Sequence, residues 1–396
     1  MSRPQATGSL PATGAWRDGS PAGRRRWLRL REPLQLEAGG ELPAASLAYE
    51  TWGSLDRDAS NAVLVLHALT GDSHVAGPAG DGHPSPGWWD VLVGPGRALD
   101  TDRWFVVAPN AIGGCQGSTG PAGAAPDGRP WGGRFPAITV RDAVRAEARL
   151  ADELGVRSWA AVIGGSFGGM RALEWAATYP DRVSAALLLS CCAVASAEQI
   201  AWSSAQIQAI RADPDWLGGD YHDLPAGRGP HAGLGVARRI AHITYRSPQE
   251  LQDRFGIDHQ DGESPWNGGR YAVESYLDHH AEKLVRRFDA ASYVTLAQAM
   301  SGHDVGRGRG GVEAALSRIR ARTCVAGVDS DRLFPLHQQR RLAEGIPGAG
   351  PLRTIASPHG HDGFLIETAQ VAELVRELLP DRSLEPAERG ARSGGS

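Results

Sequence analysis

Between Ala161 and Trp175 the chain reads AVIGGSFGGMRALEW, an apolar run that turns into a helix-forming one across Gly-Gly-Ser-Phe-Gly. Few architectures accommodate this. A fully apolar strand needs cover on both faces, and a helix beginning just after it must fold back onto the same sheet. The same order recurs along the chain. NAVLVLHAL (61–69) and RWFVVAPNAI (103–112) are short apolar runs that end in turn residues, and TVRDAVRAEARLADELGV (139–156) has helical spacing. SWAAVIGG, GMRALEWAATYP and VSAALLLSC then read as strand, helix and strand. The alternation predicts a mostly parallel sheet with helices on both faces.

After residue 192 the pattern changes to helical, polar stretches with long loops, and it resumes with TCVAGV (323–328), LHQQRRLAEGI and LRTIAS (352–357). We therefore expect one α/β core over 26–192 and 321–380, interrupted by a helical lid over 193–320. The 396 residues suit a large domain with an insertion, and 41% hydrophobic residues supply its core. Segments 1–25 and 381–396 are rich in Gly, Pro, Ser and Arg and are expected to be disordered tails.

The bulk properties exclude several classes. A net charge of −4 offers no broad basic surface for nucleic acid. No apolar stretch approaches the ~18 residues of a membrane span, and the N-terminus has no signal-like apolar segment. Cys115, Cys191, Cys192 and Cys324 form no C-x-x-C pair, so a reduced, cytoplasmic chain is expected. The histidines show no metal-ligand spacing on one element, and no metal is expected.

Gly164–Gly168 matches G-x-S-x-G in the context that motif requires, after a strand and opening a helix. A serine hydroxyl needs a base to become a nucleophile, and the base needs an orienting group. In the α/β-hydrolase fold these follow in the order Ser, acid, His. Asp331 lies just beyond the strand run at 323–328 and His361 just beyond the one at 352–357. Asp329 and His359 are their rivals, two residues away. We assign Ser166, Asp331 and His361 as the triad. The oxyanion donors are assigned to the backbone N–H groups of Phe167 and of Leu69, which lies in the loop after an early strand. In ARRIAHITY, Arg238 and Tyr245 are seven residues apart and share a helical face, whereas Arg239 is turned ~100° away. His67 and Thr70 read as residues that shape their loop. GRGRGG (306–311) reads as a turn bridging two lid helices, with contact to the phosphates of a co-substrate as the alternative.

Together, HALTGDSH, GGCQGSTGP, FPAITVRD, GGSFGGMRALEW, ARRIAHITYRS, GGRYAVESYL, SDRLFP and GHDGFLIE resemble the homoserine O-acetyltransferase family over roughly residues 45–375. The resemblance implies a ping-pong transfer of acetyl from acetyl-CoA to L-homoserine through acetyl-Ser166, in methionine biosynthesis, without a cofactor. It implies Arg238 for the substrate carboxylate and Asp362 for its ammonium, with Tyr245 as a further contact, and a homodimer built through the lid. Phe167 stands where the family usually has methionine, and its side chain is expected at the acyl pocket. Relatives of the same fold use succinyl-CoA or acylate serine, and a serine esterase would use the same triad with water.

Overall fold

The structure is a computed structural model and describes residues 9–379. Eight strands build the central sheet: β1 (Arg26–Arg29), β2 (Ser46–Trp52), β3 (Ala62–Leu66), β4 (Phe105–Pro109), β5 (Ala161–Gly165), β6 (Ala185–Leu189), β7 (Arg322–Val328) and β8 (Arg353–Ile355). Their spatial order is β1-β2-β4-β3-β5-β6-β7-β8. The pairings of β2 with β1 and β4 are antiparallel; every other pairing is parallel. β3 to β6 are buried at every residue, as two-sided cover requires.

Successive residues of each strand serve opposite cores. Leu64, Val107, Val162 and Leu188 pack with α1 (Val140–Glu153) and α2 (Phe167–Thr178). Val65, Val106, Ile163 and Leu187 face the other way, toward Trp89, Leu92 and Trp104 of the long β3–β4 connection and toward α11 (Thr368–Leu378). α1 starts where Thr139 and Asp142 form a reciprocal capping box.

Between β6 and β7 the elements are the helices α3 (Ala197–Arg211), α4 (His231–Tyr245), α5 (Pro248–Phe255), α6 (Ala272–Val285), α7 (Ala290–Ser301) and α8 (Val312–Leu316), with two single 3-10 turns. α4 packs between α3 and α6. α9 (Leu336–Gly345) and α10 (Gly363–Ile366) complete the core. The GRGRGG turn joins α7 to α8 and also latches the lid to the core. Arg307 binds Glu37 at 3.1 Å, and Arg309 binds Glu174 at 2.5 Å. Both guanidinium groups are thereby committed, which leaves the phosphate alternative without support.

The expectation of a disordered segment over 1–25 fails for residues 9–25; residues 1–8 and 380–396 lie outside the described residues. Ala12 and Thr13 are buried, and Thr13 Oγ1 donates to Asp289 at 2.7 Å. The Trp16 ring lies tilted against Trp27 at 4.9 Å, and the Trp16 backbone N–H donates to the Cys115 carbonyl. Arg25 is buried against Gln116 and the Gly82 carbonyl. Gly- and Pro-rich composition forecasts the lack of helix or strand here, but an irregular segment can still bury side chains and satisfy its backbone against neighbours. Asp289 is the anchor: Tyr221 Oη, His222 Nε2, Thr13 Oγ1 and the Ser292 N–H all surround its carboxylate.

Among the described residues no helix is long and apolar enough to cross a membrane.

Candidate active site

All the sequence-assigned catalytic positions fall at the carboxyl edge of the sheet, where loops from neighbouring parallel strands converge. Leu69 follows β3, Ser166 follows β5, Asp331 follows β7 and His361 follows β8.

Ser166 has φ 58° and ψ −123°, a conformation that costs a non-glycine residue about 1–3 kcal/mol. The flanking glycines make the turn possible: a Cβ on Gly168 would fall on the Leu66 carbonyl, and one on Gly164 on the Gly168 carbonyl. Ser166 N–H donates to the Leu189 carbonyl at 2.9 Å, tying the turn to β6. Although Ser166 occupies the N-cap position of α2, its side chain makes no capping hydrogen bond. The hydroxyl is left for chemistry. The Phe167 N–H, first in the helix, has no intrahelical acceptor, as an oxyanion donor requires.

His361 Nδ1 lies 2.7 Å from Asp331 Oδ2. The other Asp331 oxygen accepts the N–H groups of Leu333 and Phe334 at 2.9 and 2.8 Å, which fixes the carboxylate. With Nδ1 donating, the tautomer leaves the Nε2 lone pair as base. The imidazole stacks on Phe334 at 4.9 Å, with Phe364 and Tyr245 at 5.4 and 5.8 Å. Burial pulls its pKa down, but the charge and hydrogen bond of Asp331, together with Asp362, outweigh this and leave it above 6.5. The two rivals are engaged elsewhere. Asp329 accepts the Ser357 N–H, and His359 Nδ1 lies 3.2 Å from Glu250.

Ser166 borders two cavities. One, of about 260 Å³, is lined by Leu69, Ser166, Arg238, Tyr245, His361 and Asp362 among others. The structure thus brings together all the assigned side chains except Asp331, which stands behind His361, and Phe167. The second, of about 40 Å³, lies on the other side of Ser166, against Met170, Trp202, Met300 and Phe334, with Tyr245 and Leu69 shared by both.

Phe167 lines neither cavity, contrary to expectation. Its ring is fully buried, with the Arg171 guanidinium at 4.9 Å and His67 at 6.3 Å. In so tight a turn the side chain after the nucleophile is directed into the interior while the serine faces the cavity. Arg171 in turn meets Glu147 at 3.3 Å beneath α2.

Arg238 lies over the Tyr245 ring at 5.5 Å, as their shared helical face requires. Its Nε and Nη1 are buried and have no hydrogen-bond partner, so the guanidinium is open to an anion. Arg239, on another face, is paired with Asp278. Asp362 is not free. Its Oδ2 meets Arg246 at 3.2 Å, and Arg246 also holds Glu250 at 3.2 Å. Burial pushes the Asp362 carboxyl up, opposed by Arg246, Arg238 and His361.

Arg246 and His242 went unassigned in the sequence, although Arg238 and His242 are four residues apart on one face of α4 and Arg246, four further, caps its end. Lys283 and Arg287 of the next lid elements carried no such signal, since their place at the cavity depends on how α6 packs.

The loop bearing Leu69 is fastened from several sides. His67 Nδ1 donates to the Ala68 carbonyl at 2.8 Å and its Nε2 accepts the Ala111 N–H at 3.0 Å. Burial, and then Arg171, lower the His67 pKa to about 3, so this imidazole is neutral and structural. Arg287 Nη1 donates to the Thr70 carbonyl at 2.8 Å from the lid. Ser73 and His74 both bind Glu50, at 2.9 and 3.0 Å. With His83, Glu50 and His74 form a buried cluster whose ligand atoms lie within 4.8 Å of one another. Such a group could hold a metal ion. Here Glu50 already accepts two hydrogen bonds, and His83 Nε2 accepts the Arg24 N–H at 3.1 Å.

Residues 61–368 match the model of the alpha/beta hydrolase fold family. The homoserine O-acetyltransferase of Thermobifida fusca (strain YX) is 69% identical over 94% of this chain and 98% of its own length. Among solved structures, homoserine O-acetyltransferase from Bacillus anthracis aligns with a TM-score of 0.81 at 26% identity, over 90% of this chain and 97% of that one. Esterase E22 aligns with the same TM-score and identity, over 90% and 99%. The G-x-S-x-G turn, the Ser, Asp, His order and identity spread over nearly the whole length therefore lead to one conclusion: the chain belongs to the homoserine O-acetyltransferase family, on the α/β-hydrolase fold.

Proposed function

We propose that this chain transfers an acetyl group from acetyl-CoA to the side-chain hydroxyl of L-homoserine, as a step of methionine biosynthesis. Ser166 Oγ, losing its proton to His361 Nε2, attacks the thioester carbonyl. The N–H groups of Phe167 and Leu69 hold the oxyanion. The C–S bond breaks, the CoA thiolate takes the proton from His361, and acetyl-Ser166 remains. The homoserine hydroxyl then gives its proton to His361 and attacks the ester; as the bond to Ser166 Oγ breaks, His361 returns that proton to Oγ and O-acetylhomoserine leaves.

The observation that carries this reading over hydrolysis is the unpartnered Arg238 guanidinium in the same cavity as Ser166. Water needs no such group; an amino-acid carboxylate does. Asp362 beside it supplies the opposite charge for the ammonium. The smaller cavity favours acetyl over succinyl. Its lining includes Gln199 and Gln206 but no arginine or lysine, so a succinyl carboxylate there would lie buried without a cation.

Purified protein mixed with acetyl-CoA alone should gain about 42 Da on the Ser166 peptide, the mass of one acetyl group in the covalent route. L-Homoserine should discharge the adduct far faster than water or L-serine does. In Arg238→Ala the adduct should form normally, while its discharge by homoserine slows by about 100-fold, the order of a lost charged hydrogen-bond pair. Equal discharge by water and homoserine in the wild type would instead make the chain an esterase.

Assembly as a homodimer through the lid is part of the same proposal. Of the large hydrophobic side chains that are exposed among the described residues, Ile200, Leu217, Val236, Ile243, Ile257 and Trp266 all belong to residues 193–320, and only Val91 and Ile366 lie elsewhere. Trp266 is 83% exposed. Sedimentation should give twice the monomer mass, with Trp266→Ser shifted toward monomer; a monomeric wild type would refute the assembly. The four unbridged cysteines support a reducing, cytoplasmic setting.

A further inference from the structure

The larger cavity has a surplus of positive charge that an amino acid does not use. Arg238, Arg246, Lys283 and Arg287 line it, and Asp362 is its single carboxylate. Arg246 is answered by Glu250 and shares Asp362 with the acceptor's ammonium. A zwitterionic acceptor brings one carboxylate for Arg238 and one ammonium for Asp362, with no net charge. Lys283 and Arg287 remain, in a chain whose overall charge is −4.

Lys283 is the only lysine of the sequence. It is exposed, whereas Ser166 in the same cavity is buried, so the lysine stands at the lip and the nucleophile at the base. Among the described residues it makes no ion pair, while its arginine neighbours Arg239, Arg246, Arg254 and Arg270 are all paired. Arg287 lies one helical turn further along and is held by the Thr70 carbonyl. The nearby imidazoles register the same field. His280 is lowered to about 4 by burial and then by Arg238, His279, Arg246 and Lys283.

Resting on the acetyl-CoA reading above, we propose that Lys283 is a donor-binding residue: at the cavity lip it receives the phosphate end of the acyl thioester, with Arg287 adding to the attraction. An ammonium on a flexible stem suits a mobile phosphate, since it acts as a point charge and needs no fixed approach. The arrangement assigns the two substrates to different cations. Arg238 reads the acceptor carboxylate near Ser166, and Lys283 reads the donor's phosphates at the entrance.

The test compares two donors that share the thioester and the pantetheine arm, acetyl-CoA and S-acetylpantetheine, of which only the first carries the nucleotide and its pyrophosphate. Homoserine acetylation is followed with wild type, Lys283→Ala, Lys283→Glu and Lys283→Arg. The wild type should prefer acetyl-CoA. In Lys283→Ala the ratio of kcat/KM for acetyl-CoA to that for S-acetylpantetheine should fall about tenfold, equivalent to ~1.4 kcal/mol of lost attraction. It should fall further in Lys283→Glu and recover in Lys283→Arg, and added salt should weaken the wild-type preference. An unchanged ratio, an equal loss with both donors, or an effect confined to the KM for homoserine would overturn the assignment. A wild type that acetylates homoserine with neither donor would overturn the acetyltransferase reading itself, together with everything built on it.

Discussion

Replacing Ser166 by alanine is expected to lower kcat by about four orders of magnitude or more, because the covalent route has no other nucleophile. No acetyl adduct should form on mixing with acetyl-CoA. The fold should survive. The serine side chain makes no capping bond, and alanine meets the same backbone strain at φ 58°. Removing one hydroxyl that borders a cavity leaves the packing in place, so the change should stay within about 0.5 kcal/mol and Tm should move by no more than ~2 °C. Turnover near the wild-type level in a well-folded variant would remove Ser166 from the mechanism.

Asp331→Asn should be nearly as damaging, lowering kcat by about 10³–10⁴ because an amide can turn its NH₂ toward the imidazole and impose the wrong tautomer. The pH dependence gives a second readout with a definite sign. His361 acts as base only when neutral, so acylation rises with pH through its pKa. Burial lowers that pKa, and Asp331, with help from Asp362, raises it above 6.5. The wild-type acid limb of kcat/KM should therefore lie above pH 6.5. Removing the Asp331 charge leaves burial less opposed, so the limb of the residual activity should move to lower pH. A limb that stays in place would mean that another group governs it.

The parts of this molecule that were legible in advance are those fixed by short-range rules. The apolar runs at 62–66, 105–109, 161–165 and 185–189 became fully buried strands because alternation with helices admits little else. Ser166, Asp331 and His361 could be picked out together because each lies in a segment that follows a parallel strand, and strand ends share one edge of the sheet. What stayed hidden depends on packing across the chain. Arg246 looks like any helix-end arginine until α4 is laid over the 3-10 turn Gly360–Asp362, where it meets Asp362. Residues 9–25 look like a tail until Asp289 and Gln116, far along the sequence, give Thr13 and Arg25 their partners. Phe167 was misplaced because sequence adjacency to a nucleophile says nothing about which side of a tight turn a ring takes.

The cavity of about 260 Å³ also has a kinetic consequence. On the mechanism proposed, the pantetheine arm and the amino acid must each reach Ser166 through the space that Arg238 and Asp362 already border. Donor and acceptor are then successive occupants of one room. An excess of acceptor fills it before the serine has been charged and delays charging; an excess of donor crowds the charged serine and delays discharge. Throughput is set by the balance of the two concentrations rather than by either alone, and the protein becomes a comparator of its substrates.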